Sequence, residues 1–311
     1  MESKIESSYH VPVLYREVLE GLNVRKNSLI VDGTLGGGGH TELILNTNKS
    51  VNVIAFDRDV EAINFASKRL KKFGKRFNAI HSNFKEMVRV LKEQNIKADG
   101  VLLDLGVSSH QIDDPSRGFS FRFDSELDMR MDKNEELTAK DVVNNYKEER
   151  LVQILSEYGE ERYSKRVARG IISARPINST GELKKAVEDV VNKINKKETA
   201  SSVQRVFQAI RIEVNHELEN LYDMIVSLPE ILNSGARIAI ISFHSLEDRI
   251  VKRAFNELTT ECVCPPRIPI CVCGHKKKAS LITRKPITAS EDELKNNSRS
   301  SCAKLRIVEI I

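Results

Sequence analysis

The stretch Leu29-Ile30-Val31-Asp32-Gly33-Thr34-Leu35-Gly36-Gly37-Gly38-Gly39-His40 constrains the fold more than any other part of the chain. An apolar run ends in an acid, passes into four consecutive glycines and continues as Thr41-Glu42-Leu43-Ile44-Leu45, which reads as a helix start. Strand, tight turn and helix in that order form the first turn of a nucleotide-binding α/β unit. Lacking a Cβ, glycine reaches positive φ and lets the backbone lie close to a ligand. Two familiar ligands fail on spacing. A dinucleotide fingerprint repeats glycine at the first, third and sixth positions, but counting from Gly36 or Gly37 the sixth residue is Thr41 or Glu42. A Walker A loop needs Gly-Lys-Ser/Thr, and no lysine follows these glycines. An adenosine-type ligand without a phosphate chain remains, and S-adenosylmethionine suits it. A merely flexible turn is the bland alternative, disfavoured by the strand-turn-helix context.

The pattern repeats downstream. Val51-Asn52-Val53-Ile54-Ala55-Phe56-Asp57 is a second strand ending in acid, and Asp57 lies 25 residues beyond Asp32. That is near the spacing at which a carboxylate accepts from ribose hydroxyls. Asp59 suits the N-cap of a helix from Val60 to Phe73, stopped at Gly74. Phe77 to Phe84 reads as a third strand, with Asn83 and Phe84 offering an amide and a ring to an adenine; Phe84 as plain core is the alternative. After a helix over Lys85–Asn95, Ala98 to Asp104 is a continuous apolar strand of the kind covered on both faces. Asp32, Asp57, Asn83 and Asp104 thus stand at the carboxyl ends of four successive strands, where doubly wound sheets bind ligands.

The alternation breaks between Ile112 and about Arg205, where no buried strand is legible. Helical segments follow over Leu137–Val143, Glu149–Tyr158, Arg162–Arg169 and Thr180–Asn192, the last capped by Thr180. Arg162, Arg166 and Arg169 would share a helical face beside the apolar line Tyr163, Val167 and Ile171, a candidate phosphate-contacting stripe or an ordinary solvated face. The α/β pattern resumes with a long helix from Gln208 to about Leu228, a fifth strand Ala236–Phe243, and a helix capped by Ser245. Segments within Lys276–Ile287 and Lys304–Ile311 would close the sheet as an antiparallel pair. At the other end, Met1–Ser8 reads as a frayed lead-in to an amphipathic helix over Tyr9–Leu22, laid on the sheet by Leu14, Val18, Leu19 and Leu22. The expected domains are a first α/β part (1–112), a helical insert as candidate RNA-recognition domain (113–205) and a second α/β part (206–311).

With 311 residues, there is enough chain for one large or two modest domains. The net charge is only +5, but from Arg249 onward 13 Lys/Arg face 6 Asp/Glu, a surplus of seven that leaves the rest at −2. A basic C-terminal part suits a polyanion-facing surface. No apolar run reaches transmembrane length and no signal-peptide core begins the chain, so a cytoplasmic location and no membrane partner are expected. The five cysteines, an odd and clustered set, are not a secreted disulfide framework. Cys262-x-Cys264 and Cys271-x-Cys273 are thiolate-ligand types, yet metal knuckles commonly use Cys-x-x-Cys and a one-residue gap strains a tetrahedral chelate. No metal ligand is therefore assigned; the pairs read as reduced thiols on a proline-rich loop, with a four-thiolate zinc site as the alternative.

Five strands joined mainly by helices, then a terminal hairpin, is the layout of class I, Rossmann-like methyltransferases, here with an inserted all-helical domain. The sequence resembles the MraW/RsmH family over nearly its whole length. The resemblance rests on Asp32-Gly33-Thr34 with Gly38-Gly39-His40, on Ala55-Phe56-Asp57-Arg58-Asp59 and on Leu102-Leu103-Asp104-Leu105-Gly106-Val107-Ser108-Ser109. It continues through Arg117-Gly118-Phe119-Ser120-Phe121, Leu127-Asp128-Met129-Arg130-Met131, Tyr158-Gly159-Glu160-Glu161-Arg162, Phe207-Gln208-Ala209-Ile210-Arg211 and the long Ile241–Arg249 motif. It implies S-adenosyl-L-methionine as cofactor and N4 of a cytosine in small-subunit (16S) ribosomal RNA, within a ribosomal subunit, as substrate; a homodimer is compatible with it. By position it implies Gly38, Gly39 and His40 at the methionine end, Asp57 at the ribose, Phe84 at the adenine, and Asp104 with Gln111 closing the pocket; His40 and Gln111 come from the resemblance alone. Asp104 is the catalytic candidate, as an acceptor for the amino protons, with carbonyls near Gly106 as the alternative acceptor. The chain has Asp104-Leu105-Gly106-Val107 where many base-amino methyltransferases carry a Pro-Pro-aromatic, so Phe119 or Phe121 is expected to stack on the base. Competing classes are a dinucleotide oxidoreductase and a non-catalytic RNA-binding module.

Overall fold

The structure is a computed structural model that describes residues 12–264 and 270–311. The reading of Met1–Ser8 and the first residues of the Tyr9 helix lie outside them. In chain order the elements are α1 (Tyr15–Leu22), β1 (Leu29–Asp32), α2 (Gly39–Thr47), β2 (Asn52–Asp57), α3 (Val60–Leu70), β3 (Phe77–His81), α4 (Met87–Glu93) and β4 (Ala98–Asp104). Then come α5 (Ser109–Asp113), α6 (Ala139–Asn145), α7 (Glu148–Glu157), α8 (Ser164–Ser173), α9 (Thr180–Asn195) and α10 (Thr199–Asn215). The chain ends with α11 (Leu221–Ser227), β5 (Leu232–Ser242), α12 (Ser245–Thr259), β6 (Ala279–Leu281), α13 (Glu291–Asn296) and β7 (Lys304–Ile310). These divide into two compact units, one of residues 1–106 with 218–311 and one of residues 107–217.

The first unit is a sheet of seven strands in the order β3-β2-β1-β4-β5-β7-β6. β1 to β5 run parallel; β7 is antiparallel to β5, and β6 to β7, as the terminal pair was expected to be. Both faces are covered, and the strand period of two sorts the side chains between them. Val31, Val101, Leu103, Ile238 and Ile240 pack with α4, α11 and α12 residues such as Leu91, Ile225 and Phe255. Their neighbours Ile30, Leu102, Ala239 and Ile241 pack on the other face with Leu14, Val18 and Leu22 of the α1 region, Ile44 of α2 and Leu70 of α3. Gly21 is where α1 meets the sheet: an added Cβ would stand 2.3 Å from Ile307 Cδ1. The helix begins later than its periodicity suggests, because Leu14 takes a left-handed conformation (φ 53°) and donates its N–H to Glu293 Oε1 at 2.7 Å.

The second unit is helical, and among its described residues the only β pairing is the isolated Glu126–Ser179 bridge. Its core is carried by Val142, Leu151, Ile154, Val167, Ile171, Leu183, Val187, Val206 and Ile210. Two motifs noted in the sequence are its staples. Arg117, 2% exposed, donates from Nη2 to the carbonyls of Arg130 and Met131, each at 3.0 Å. Asn215 accepts from Met131 N–H at 2.8 Å and donates to Met129 and Arg211 carbonyls at 2.7 and 2.9 Å, which satisfies a buried amide.

Several local readings move. Ser179 rather than Thr180 caps α9, its Oγ accepting from Glu182 N–H; Thr180 Oγ1 donates instead to the Phe123 carbonyl. His244 rather than Ser245 caps α12, paired with Glu247 in a capping box. The long helix expected over 208–228 is two helices: α10 runs unbroken through 205 and 206, and His216 ends it with φ 49°. Glu217 is held there by Arg211, Nε to Oε1 at 2.8 Å and Nη2 to Oε2 at 3.0 Å. Arg162 precedes α8, so it shares no helical turn with Arg166 and Arg169, while Val167 and Ile171 are buried as expected. Phe121 packs edge-on against Phe207, centroids 5.4 Å apart, and Phe119 joins the same core; Phe123, 44% exposed, is the aromatic that faces outward.

Candidate active site at the carboxyl edge of the sheet

Three of the parallel strands of the first unit end in an acid. β1, β2 and β4 close on Asp32, Asp57 and Asp104; β3 stops at His81, short of the expected Phe84, because Asn83 and Phe84 enter a 3-10 turn beyond Ser82. The β1–α2 turn is shaped from within. Gly38 sits at φ 77°, and a Cβ on Gly39 would come within 2.6 Å of Pro12 Cγ, so the protein's own packing excludes side chains at both. Gly38 N–H closes the turn onto the Leu35 carbonyl at 2.8 Å. Behind the turn, Asp32 accepts from Thr34 N–H at 3.0 Å and from Thr41 Oγ1 at 2.6 Å. Burial pushes this carboxyl above its ordinary range, and those two bonds oppose the shift.

Asp57 braces the same turn. Its Oδ2 accepts from Gly36 N–H at 2.7 Å and its Oδ1 from Asp59 N–H at 2.9 Å. Burial raises it to about 6 in spite of these bonds. Each oxygen keeps a second lone pair, so the carboxylate can shape the loop and still accept a ligand hydroxyl. Asn83 caps a local turn, its Oδ1 accepting from Lys85 N–H at 3.1 Å, which leaves its NH2 for other partners. Phe84 is half-buried, its Cβ 3.3 Å from where a Gly33 Cβ would lie.

Asp104 differs from the other acids. Its backbone N–H donates to Thr34 Oγ1 at 2.6 Å, which ties the end of β4 to the glycine turn. Its Oδ1 is buried with no hydrogen-bond partner, and its Oδ2 lies 3.6 Å from His40 Nε2, which is also buried and unpartnered. The Asp104 side chain as a whole is 27% exposed, so the pair opens outward. Burial, with Asp32 and Glu247 adding negative charge, raises Asp104 to about 8, and burial lowers His40 to about 4. At neutral pH both are therefore largely uncharged: an imidazole beside a carboxylic acid. Two polar atoms withdrawn from water without partners cost stability, and their usual explanation is a ligand that completes them.

The capping residues of α12 belong to the same edge, and the sequence reading gave them no role. Glu247 Oε2 accepts from Phe243 N–H at 2.9 Å, and Oε1 lies 3.2 Å from His244 Nε2. The signal was present in the Ile241–Arg249 motif, but a His-x-x-Glu capping box is not distinguishable there from a Ser-led one. Gln111 belongs to the helical unit, where it is buried in a capping box of α5. Its N–H donates to Ser108 Oγ at 3.2 Å and its Oε1 accepts from Ser108 N–H at 3.0 Å.

The raised Asp104 carboxyl makes a measurable statement about stability. Its folded value lies above that of the unfolded chain, so its contribution is full below about pH 4 and is lost as pH rises through about 8. Across that window it removes ~1.4 kcal/mol per pH unit. Without cofactor, Asp104→Asn is expected to melt above the parent at pH 8.5, with the margin shrinking toward pH 5. Equal margins at both pH values, by calorimetry, would mean that the carboxyl is ionised throughout.

A parallel sheet ordered 3-2-1-4-5, extended by an antiparallel β7, with acids ringing a glycine turn at its carboxyl edge, defines a class I methyltransferase. A family profile described as the MraW methylase family matches residues 7–311, and the chain belongs to that family. It is 48% identical over 308 residues to a Halothermothrix orenii protein named ribosomal RNA small subunit methyltransferase H, covering 96% of this chain and 98% of that one. A protein of the same name from Geobacter sp. strain M21 is 48% identical over 312 residues, covering 99% and 100%. The counterpart in Fusobacterium nucleatum is 47% identical over 314 residues, covering 99% of each. The protein is thus an S-adenosylmethionine-dependent enzyme, and the oxidoreductase and non-catalytic alternatives fall away. Among the described residues, no helix is long and apolar enough to cross a membrane.

Proposed function

We propose that the protein transfers a methyl group from S-adenosylmethionine to N4 of a cytosine in small-subunit ribosomal RNA, in the cytoplasm. The observation that carries this is the unpartnered His40–Asp104 pair beside the glycine turn. Gly38, Gly39 and His40 would hold the methionine end, Asp57 the ribose and Phe84 the adenine. Gln111 is the further cofactor residue that the family resemblance implies. The cofactor supplies a methyl already activated by its sulfonium.

What the chain must add is modest. The N4 lone pair is delocalised into the pyrimidine ring, so an acceptor for the amino protons helps it attack. Asp104, ionised once a cation lies beside it, is that acceptor. Neutral His40 leaves the edge free of competing positive charge. Exclusion of water and alignment supply most of the rate. The cytosine must leave its stack for its amino group to meet the methyl.

The decisive experiment offers tritiated S-adenosylmethionine and small-subunit RNA, free or in subunits, from cells lacking the enzyme. Label recovered as N4-methylcytidine after nuclease digestion is the expected result. Label on any other nucleoside, or none, would overturn the assignment.

RNA contact is assigned to the helical unit, whose exposed arginines are the phosphate-seeking groups. Arg169 is held by Glu148 at 2.7 Å and Arg162 lies 3.8 Å from Glu198, exposed pairs that contribute little and exchange easily for phosphate. Replacing Arg162, Arg166 and Arg169 together by Gln is expected to weaken RNA binding and lower its salt slope by about two to three units, with cofactor affinity unchanged. An unaltered slope in filter binding would return this face to ordinary solvent.

A further inference from the structure

The four clustered cysteines take no part in the chemistry above. We propose that Cys262, Cys264, Cys271 and Cys273 form a four-thiolate site for one structural zinc ion, clamping the loop between α12 and β6.

The geometry carries it. Sγ–Sγ separations are 3.4 Å for Cys262–Cys271, 3.5 Å for Cys271–Cys273, 3.7 Å for Cys262–Cys273 and 4.0 Å for Cys264–Cys271. All four sulfurs lie within 4.8 Å of one another. A regular tetrahedron with zinc–sulfur bonds of about 2.3 Å has edges of about 3.8 Å, in the middle of the observed distances. A disulfide would need about 2.05 Å, and all four cysteines are free thiols.

The one-residue gap that argued against a metal is resolved by local conformation. Alternate residues of an extended segment point to the same side, so each Cys-Val-Cys can aim both sulfurs inward and its valine outward. Val263 and Val272 are accordingly 49% and 75% exposed, with Ile270 at 77%. The sulfurs converge on one another while the exposed aliphatic side chains gain no burial, so hydrophobic packing does not account for this arrangement. An ion that binds all four sulfurs supplies the missing driving force.

The surroundings suit metal thiolates. Backbone N–H groups of Val263 and His275 are directed at Cys273 Sγ, and Cys264 N–H lies 3.4 Å from Cys262 Sγ. Such donors orient and stabilise ligating sulfur. Gly274, at φ 62°, turns the chain immediately after the last cysteine. His275 Nε2 then meets the Glu257 carbonyl at 2.9 Å, and Lys278 N–H donates to the Leu258 carbonyl at 2.8 Å, fastening the cluster to the end of α12. Zinc with four thiolates carries a charge of −2, and Lys276, Lys277 and Lys278 follow directly to balance it.

The test uses the full chain, expressed with zinc in the medium and purified without chelator. Elemental analysis is expected to find about one zinc per chain, and cobalt(II) exchange to give the visible bands of a tetrahedral sulfur site. Cys302→Ser should leave both intact, whereas the pair Cys271→Ser and Cys273→Ser should drop zinc below about a tenth of an equivalent. If that pair does not fold, titration of the parent with a mercurial thiol reagent must release the zinc as the four sulfurs are modified. Three results would overturn the site: metal-free protein whose five thiols react alike, disulfides detected by mass, or zinc retained without Cys271 and Cys273.

Discussion

Asp104→Asn is expected to lower methyl transfer about a hundredfold at subsaturating cofactor, the largest effect of any single conservative change here. The carboxyl has one oxygen buried without a partner, a histidine 3.6 Å from the other, and a proton affinity near neutrality. A ligand cation entering beside it shifts the balance toward the carboxylate. Cofactor binding at pH 7 should therefore release protons, seen as a dependence of binding enthalpy on the ionisation enthalpy of the buffer. In the Asn variant that dependence should disappear. If Asp104 chiefly grips the cofactor, affinity falls first and saturating cofactor restores most of the rate. If it acts mainly on the reacting nitrogen, turnover falls while affinity holds. Near-normal affinity together with near-normal turnover would remove Asp104 from the site.

Asp57→Ala is expected to weaken S-adenosylmethionine binding by about 1.5–3 kcal/mol, some 10- to 150-fold, through loss of a charge-assisted acceptor for the ribose. A second loss adds to it, because the same carboxylate holds Gly36 N–H and Asp59 N–H. Asp57→Asn separates the two, since an amide oxygen still accepts one of these bonds. The Asn variant should keep more affinity than the Ala variant in calorimetry. A folded Ala variant with unchanged affinity would show that Asp57 shapes the turn and touches no ligand.

The contrast between these carboxylates shows what a sequence of this kind makes legible. Strand ends were readable because an apolar run terminated by acid is both a burial signal and a chemical one: β1, β2 and β4 end on Asp32, Asp57 and Asp104 as expected. The terminal antiparallel pair and the helical insert were readable from periodicity. Helix caps shifted by one residue, from Thr180 to Ser179 and from Ser245 to His244, because adjacent residues offer equivalent acceptors and only backbone geometry chooses. The break at His216 carries no glycine or proline; a left-handed histidine and the Arg211–Glu217 pair make it, which no local pattern announces. The Asn83 oxygen also caps the following turn, a local use that the sequence does not separate from a ligand contact. The electrostatic difference between Asp57 and Asp104 was not readable at all, since it depends on which oxygens find donors after folding.

The position of the helical unit within the chain has a consequence for synthesis. β4 and β5 are neighbours in the sheet, yet β4 ends at Asp104 and β5 begins at Leu232. Closing a loop of that length costs about 4 kcal/mol of chain entropy. At ribosomal speeds of about 5–20 residues per second, roughly 6–25 s pass between the emergence of the two strands. For that interval Val101, Leu102 and Leu103, fully buried in the finished protein, line an open strand edge. Such an edge invites pairing with another nascent chain. A helical unit that folds first would shorten the effective loop and limit that exposure.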